Sequence, residues 1–425
     1  MGESRQDEQL RYLLPALTTY YSEPLMLERA KGMFVWDKEN KRYLDFFGGI
    51  LTVSVGHCDD EITERICQQL KKLQHTSTLY VTDPQVKLAK RLAELPPEDL
   101  TKSFFTNSGT EANEMAVLLA QMHTGRKEVV ALRHSYSGRS MLAMSLSGQH
   151  PWRLASAGTA GVKHAHSPYC FRCSLGLSYP ECGVRCAHDV ENLIQTTTSG
   201  EIAAFIAEPI QGVGGFITPP PEYFEIVAGI VRKYGGLFIC DEVQTGFGRT
   251  GEKWFGIEHW KVKPDIITCA KGMGNGTPVA ATITTSEIAG ALQGSTISTF
   301  GGNPVSATAA EATIQCIEER DLLTNTESMG QILEKGLNLL KKEHEIIGDV
   351  RGKGLMLGVE LVKHPKKPAP DLADRVLEEA KDRGLLLGKG GLHGNALRIS
   401  PPMSVNAEQI EDALGILEEV FTVVS

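Results

Sequence analysis

The sequence predicts an α/β fold, a mostly parallel sheet between helices with a smaller α+β unit attached. Two observations carry this. From Lys102 onward, short apolar runs bounded by Gly or Pro alternate with stretches of helical spacing. Such runs mark strands buried on both faces and joined by crossover helices. Two of them also end in a charged side chain, Asp241 after 237–240 and Lys271 after 266–270. Open α/β folds place their ligands at that carboxyl edge.

Taken in order, residues 1–20 read as an arm and a helix, and the alternation from Leu25 to Phe46 reads as a β-meander turning at 37–41. Helical spacing runs through Ile62, Ile66, Leu70 and Leu73, and a second helix covers 85–94 after Pro84. Strands are expected at 103–106, 128–132, 202–207, 237–240, 266–270 and 279–284. The helix at 111–123 is expected to turn Met115, Leu118, Leu119 and Met122 inward. Between His150 and Thr198 the alternation lapses into what reads as an irregular, His- and Cys-rich insertion.

Beyond Pro304 the pattern gives helices at 304–319 and 328–344 and strands at 346–350 and 355–362. A Pro-rich linker, 364–370, leads to a helix from Asp371 that Gly384 ends. The last helix starts at Asn406, an N-cap with Gln409 three residues on. The expected division is a large domain over 60–304, with a small domain formed by 305–425 together with the N-terminal 1–59.

Composition narrows the function. A formal charge of −9 over 425 residues argues against nucleic-acid or anionic-membrane partners. No run reaches the roughly 18 apolar residues of a membrane helix. The polar, acid-bearing start is unlike a targeting peptide, and nine cysteines in so long a chain point to a reducing, cytoplasm-like compartment. Cys170-x-x-Cys173 and Cys182-x-x-x-Cys186 cluster, and their spacing leaves structural zinc, free thiols and disulfides all open.

Five strand ends carry chemistry. Ser108, Gly109 and Thr110 open a helix, where backbone N–H groups form an anion cradle, although Ser108 with Glu111 also fits an ordinary capping box. Tyr136 offers a flat ring, Glu208 and Asp241 two acids with Gln244 close by, and Lys271 an amine. A desolvated Lys can lose its proton and act as a nucleophile, and a buried Asp can pair with a cationic ring nitrogen.

Asn107-Ser-Gly-Thr-Glu-Ala-Asn, Glu208-Pro-Ile-Gln-Gly, Asp241-Glu-Val-Gln-Thr-Gly-Phe-Gly-Arg-Thr-Gly, Lys271-Gly and Thr299-Phe-Gly-Gly-Asn-Pro resemble the class-III, omega-type aminotransferases of the fold-type-I pyridoxal-phosphate enzymes. The resemblance spans nearly the whole chain. It is nearest to the alanine–glyoxylate aminotransferase 2 subgroup through the segments ending at His57 and beginning at Ile346.

It implies pyridoxal 5′-phosphate as cofactor and no catalytic metal. By the same resemblance Lys271 forms the internal aldimine of a ping-pong mechanism, and Asp241 holds the ring nitrogen protonated. Ser108, Gly109 and Thr110 hold the phosphate, Tyr136 stacks on the ring, and Gln244 approaches its phenolic oxygen, with Val243 and Glu208 alongside. Thr299 reaches the phosphate of the neighbouring subunit of a homodimer or tetramer, and Arg398 binds the substrate carboxylate. Family members acting on ornithine or 4-aminobutyrate carry a Glu that masks this Arg; Val213 stands there instead. That implies small partners such as alanine, pyruvate or glyoxylate, with omega-amine donors also admitted. The rivals are a decarboxylase or aminomutase of the same family, or an omega-amine:pyruvate transaminase with little alanine–glyoxylate activity. A nicotinamide oxidoreductase is disfavoured, because Gly272, Gly274 and Gly276 miss the G-x-G-x-x-G spacing.

Overall fold

Three sheets organise the computed structural model, which describes residues 5–95, 97, 99–154 and 158–425. The N-terminal meander comprises β1 (Leu27–Lys31), β2 (Phe34–Asp37) and β3 (Arg42–Asp45). The central sheet has seven strands: β4 (Lys102–Thr106), β5 (Val129–Leu132), β6 (Val162–Ala165), β7 (Ala204–Ala207), β8 (Leu237–Asp241), β9 (Ile266–Cys269) and β10 (Ala280–Thr284). Their order is β4-β10-β9-β8-β7-β5-β6. Strands β5 to β9 pair in parallel, and β10 runs antiparallel to both of its neighbours. The strands at the centre of this sheet are fully buried runs such as Ile-Ile-Thr-Cys, since helices cover both faces.

The C-terminal part adds β11 (Ile347–Lys353), β12 (Met356–Lys363), β13 (Lys367–Pro368), β14 (Leu385–Leu386), β15 (Gly388–Gly390) and β16 (Ala396–Ile399). Strand β12 is central, pairing with β11 and β16, and β15 lies beyond β16. The short β14 pairs in parallel with β3, with Leu385 opposite Leu44. Met33, Leu44 and Phe46 accordingly share one apolar core with Leu337, Leu357, Val376 and Phe421.

Two sequence expectations are corrected. The stretch 150–198 is not irregular throughout: it supplies β6 and a helix, Arg185–Thr197, that buries Ala187, Val190 and Ile194. Four residues at a half-exposed sheet edge give too short a pattern to stand out among the cysteines. The helix Gly109–Thr124 turns Ala112, Ala116, Val117, Leu119 and Ala120 inward, with Met115 only half-buried, while Leu118 and Met122 are 41% and 48% exposed. This helix lies against β9 and β10, where small side chains allow close approach and long ones do not fit.

The last helix, Ala407–Val424, starts with a reciprocal cap: Gln409 N–H donates to Asn406 Oδ1 at 2.9 Å, and Asn406 N–H donates to Gln409 Oε1 at 3.1 Å. Ile410, Leu417 and Phe421 then carry it into the C-terminal core. Asn406→Ala removes the first bond and should lower stability by about 1 kcal/mol, read as a shifted urea midpoint with an unchanged active site.

Candidate active site

At the carboxyl edge of the central sheet, β4, β5, β7, β8 and β9 open into a cavity of about 320 Å³. The turn after β4 brings Ser108, Gly109 and Thr110 to its wall. Ser108 is the N-cap and its Oγ accepts from Glu111 N–H at 3.3 Å, while Glu111 accepts from Asn107 N–H at 2.7 Å. The cap and the cradle therefore coexist. The first-turn N–H groups of Gly109 and Thr110 have no acceptor within the helix and stand at the dipole's positive end. No Cβ fits here. One on Gly109 would meet Val243 at 2.8 Å, and one on Gly138 would meet Thr110 Oγ1 at 2.2 Å.

Asp241 ends β8, buried. Its Oδ2 accepts from Asn113 Nδ2 at 2.7 Å and its Oδ1 from Val243 N–H at 3.1 Å. Asn113 is itself fixed, since its Oδ1 accepts from Thr268 Oγ1 at 2.7 Å and its Nδ2 also donates to Ser137 O. Burial pushes the Asp241 carboxyl up, and the Asn113 and Val243 bonds with the Lys271 charge restrain it. Glu208 is pushed up by burial first and by Asp241 second. It accepts from Tyr136 N–H at 3.0 Å and Gly212 N–H at 2.8 Å, which sets Tyr136 at the wall with its ring edge-on to Trp152.

Lys271 follows β9 with a left-handed φ of 47°, a costly conformation for a side chain with a Cβ. Burial and then the Arg398 charge lower its pKa from 10.5 to about 7, with Asp241 and Glu208 pulling the other way. Burial outweighs the two acids, so this amine is neutral over much of the physiological range.

Gln244 also lines the cavity, and its Oε1 accepts from Arg398 Nη2 at 2.8 Å. A Cβ on Gly212 would strike that amide at 2.3 Å, which explains the glycine. Arg398 lies just behind the wall, 3% exposed, with its guanidinium carbon 5.0 Å from the rings of both Phe47 and Phe216. Its Nε is buried with no hydrogen-bond partner among the described residues.

The structure thus brings Ser108, Gly109, Thr110, Tyr136, Glu208, Asp241, Val243, Gln244 and Lys271 to one cavity, with Arg398 bound to it through Gln244. Thr299 is exposed and is not part of the wall. Sequence reasoning gave no role to Asn113, although it falls inside the quoted motif, four residues beyond Gly109 and so on the same helix face. Nor did it find Thr52, Ser137 or Thr277, which line the cavity from loops without any chemical signature. The four clustered cysteines are unpaired thiols around a separate small cavity, and no group of three or more His, Cys, Asp or Glu among the described residues is disposed to hold a metal ion.

These donors fit pyridoxal phosphate: an anion cradle kept open by Gly109 and Gly138, a buried carboxylate for a ring nitrogen, and an amine whose pKa is lowered to about 7. The comparisons agree. A family model described as aminotransferase class-III matches residues 18–421. The chain is 44% identical to alanine–glyoxylate aminotransferase 2 homolog 2, mitochondrial, of Arabidopsis thaliana, over 92% of this chain and 82% of that one. It is 38% identical to a leucine/methionine racemase of Thermococcus litoralis, covering 97% of this chain and 94% of the other. A solved (S)-enantioselective omega-transaminase from Thermomicrobium roseum superposes with a TM-score of 0.91 at 33% identity, covering 98% and 97% of the two chains.

The Lys271 pKa sets a pH dependence. The neutral amine is the reactive form, and its fraction rises with pH through the folded value of about 7. Apoprotein mixed with pyridoxal phosphate should therefore gain its visible band at a rate that climbs through pH 7 and levels off by about pH 8. Nα-acetyllysine, measured in parallel, should still be accelerating at pH 9. A protein rate that tracks acetyllysine would mean that Lys271 is an ordinary solvated amine.

Proposed function

The chain belongs to the class-III aminotransferases, and we propose that within this family it moves an amino group from an amino acid or omega-amine to a small 2-oxo acid, pyruvate or glyoxylate, in two half-reactions sharing one site. Pyridoxal phosphate is its cofactor, and the chemistry that it supplies when bound is an electron sink that acidifies the α-hydrogen of the amine.

The residues divide the work. First-turn N–H groups with the Ser108 and Thr110 hydroxyls hold the phosphate. Asp241, oriented by Asn113, holds a proton on the ring nitrogen, and the Tyr136 and Val243 side chains confine the ring. Gln244 accepts from Arg398 and would approach the phenolic edge of the ring. Lys271 anchors the cofactor and moves a proton at the substrate Cα, a task suited to an amine poised near neutral pH. Arg398 binds the substrate carboxylate with its planar fork.

The observation that carries the substrate class is the state of Arg398. It is buried, its attached partner is the amide of Gln244, and Nε is left unsatisfied. A buried charged donor without an acceptor is costly, and a substrate carboxylate would relieve it. Val213 stands where relatives with larger amino acids carry an acid, so no protein carboxylate has to be displaced between half-reactions. The alanine–glyoxylate name of the Arabidopsis relative supports the same substrates.

Thr299 we assign to the phosphate of a second copy's site in a homodimer. What supports this is its exposure outside the wall, next to a groove in which Leu118 and Ile297 leave 41% and 59% of their surface open.

Holoenzyme treated with borohydride should lose its visible band and carry a reduced cofactor adduct at Lys271 in peptide mass mapping. Untreated holoenzyme given L-alanine and glyoxylate should form pyruvate and glycine, and the borohydride-reduced protein should form neither. Release of carbon dioxide, or return of D-alanine with its nitrogen retained, would replace transamination by decarboxylation or racemisation. Val213→Glu supplies a competitor for Arg398 and should raise the KM for L-alanine roughly tenfold while leaving carboxylate-free amines unchanged; unchanged alanine kinetics would detach Val213 from specificity.

A further inference from the structure

We propose that Arg351 is a positioning residue for substrate-carboxylate recognition: it pins the turn 212–217 onto β12 and β16 and so fixes the direction of the Arg398 guanidinium. This rests on the reading of Arg398 given above. The turn is closed by a bridge between Gln211 and Ile217. It borders Arg398 in two places. The Phe216 ring, wholly buried, faces the guanidinium at 5.0 Å. The Val213 carbonyl accepts from Gly391 N–H at 2.8 Å, and Gly390 is kept small between the turn and the Arg398 stem, since a Cβ there would meet both Arg398 Cδ at 2.8 Å and Val213 O at 2.9 Å.

That turn does not hold its shape unaided. Phe216 has a left-handed φ of 57°, disfavoured by roughly 1–2 kcal/mol for a residue with a Cβ, so neighbouring contacts must fix it. One of them is specific. Arg351 Nε donates to the Gly215 carbonyl at 2.9 Å, one residue before Phe216. The same carbonyl lies over Gly358, where a Cβ would come within 2.8 Å of it, and Gly358 is the register partner of Arg398 across β12 and β16. The turn therefore rests on Gly358, directly beside Arg398 on the neighbouring strand.

Arg351 is itself held from three sides. Its Nη1 donates to Glu360 at 2.7 Å and to Asp349 at 2.9 Å, and its Nη2 to the Tyr169 hydroxyl at 3.3 Å. Glu360, fully buried, also accepts from Tyr169 Oη and Arg172 Nε. A lysine keeps the charge but cannot send donors to a carbonyl and two carboxylates in fixed, divergent directions. If this network served only to fasten the 150–198 stretch to the C-terminal sheet, its loss would lower stability and nothing else.

The test uses holoenzyme and follows bleaching of the visible band in single turnovers with L-alanine and with ethylamine, which has no carboxylate. Arg351→Lys should lower the second-order rate constant for alanine roughly two- to thirtyfold, the range for residues acting through a neighbour, and leave ethylamine within about twofold. Asp349→Asn, which loosens Arg351 without emptying its site, should act the same way more weakly, and it carries the test if Arg351→Lys does not fold. An equal loss for both amines, or a lowered melting temperature with both rates intact, overturns the proposal. Arg398→Ala separates the two readings. If it too leaves the alanine-to-ethylamine ratio unchanged, Arg398 does not bind the carboxylate at all. If it collapses that ratio while Arg351→Lys does not, only the role of Arg351 falls.

Discussion

The site depends on one constraint: three ionisable groups, Lys271, Asp241 and Glu208, are taken out of water within a single cavity. Desolvation disfavours every one of their charged forms, so which stays charged is decided by hydrogen bonds and neighbours. Asp241 receives two, from Asn113 and Val243, and they favour its anion. Lys271 faces the Arg398 cation as well as the two acids, and burial prevails, lowering its pKa to about 7 so that a large share of the amine is uncharged near neutral pH. The asymmetry is useful because one cofactor requires opposite things of its two ends: an anion below the ring nitrogen and an uncharged nucleophile at the aldehyde. Asn113 matters here out of proportion to its size. Locked by Thr268 and Ser137, it can present only its NH₂ to Asp241.

Backbone strain gathers at the same edge. Lys271, Phe216 and Ile50 all carry a Cβ in the left-handed region, and each belongs to a segment that meets the cavity or Arg398. Such conformations persist only where the surroundings over-determine them. Around Lys271 the surroundings are tight: a Cβ on Gly272 would collide with Ser54 Oγ at 2.5 Å, and Asn275 bonds to Val55 N–H and Gly56 O. The loop 48–56 is anchored in turn by Asp45, which accepts from Phe47 and Gly48 N–H at 2.9 Å and from His57 at 2.8 Å. The meander thereby helps set the geometry of a lysine more than two hundred residues away.

Much of this was legible in the sequence, for a physical reason. A strand buried on both faces leaves only its end free to carry a polar group, so Asp241 and Lys271 announce themselves by interrupting apolar runs. Gly109 and Ser108 are visible through cap chemistry. What the sequence hid has equally specific causes. Asn113 sits mid-helix, where an asparagine has no local signature, and its meaning appears only when β8 and β9 are brought beneath it. On the inward face of that helix the expectation holds for Leu119 and partly for Met115 but not for Leu118 and Met122, which point away, because close packing on a sheet selects alanine over large side chains. The strand β6 was missed because four residues at an edge carry too little pattern.

The link least visible in the sequence is Gln244 with Arg398. Gln244 comes from the turn after β8, while Arg398 comes from β16 in the C-terminal sheet, and a 2.8 Å bond joins them. The cavity therefore joins the two sheets: the central one carries Asp241 and Lys271 at its edge, and the C-terminal one presents Arg398 just behind the wall. An amide is a fitting joint between them. A carboxylate at position 244 would neutralise Arg398 and compete with every incoming acid, whereas a glutamine orients the guanidinium and leaves its charge available. The aromatic faces of Phe47 and Phe216 act in the same sense, since they stabilise a cation without consuming any of its N–H donors. An arginine held by one amide oxygen and two rings is fixed in direction yet unsatisfied, a combination that leaves its charge open to an incoming acid.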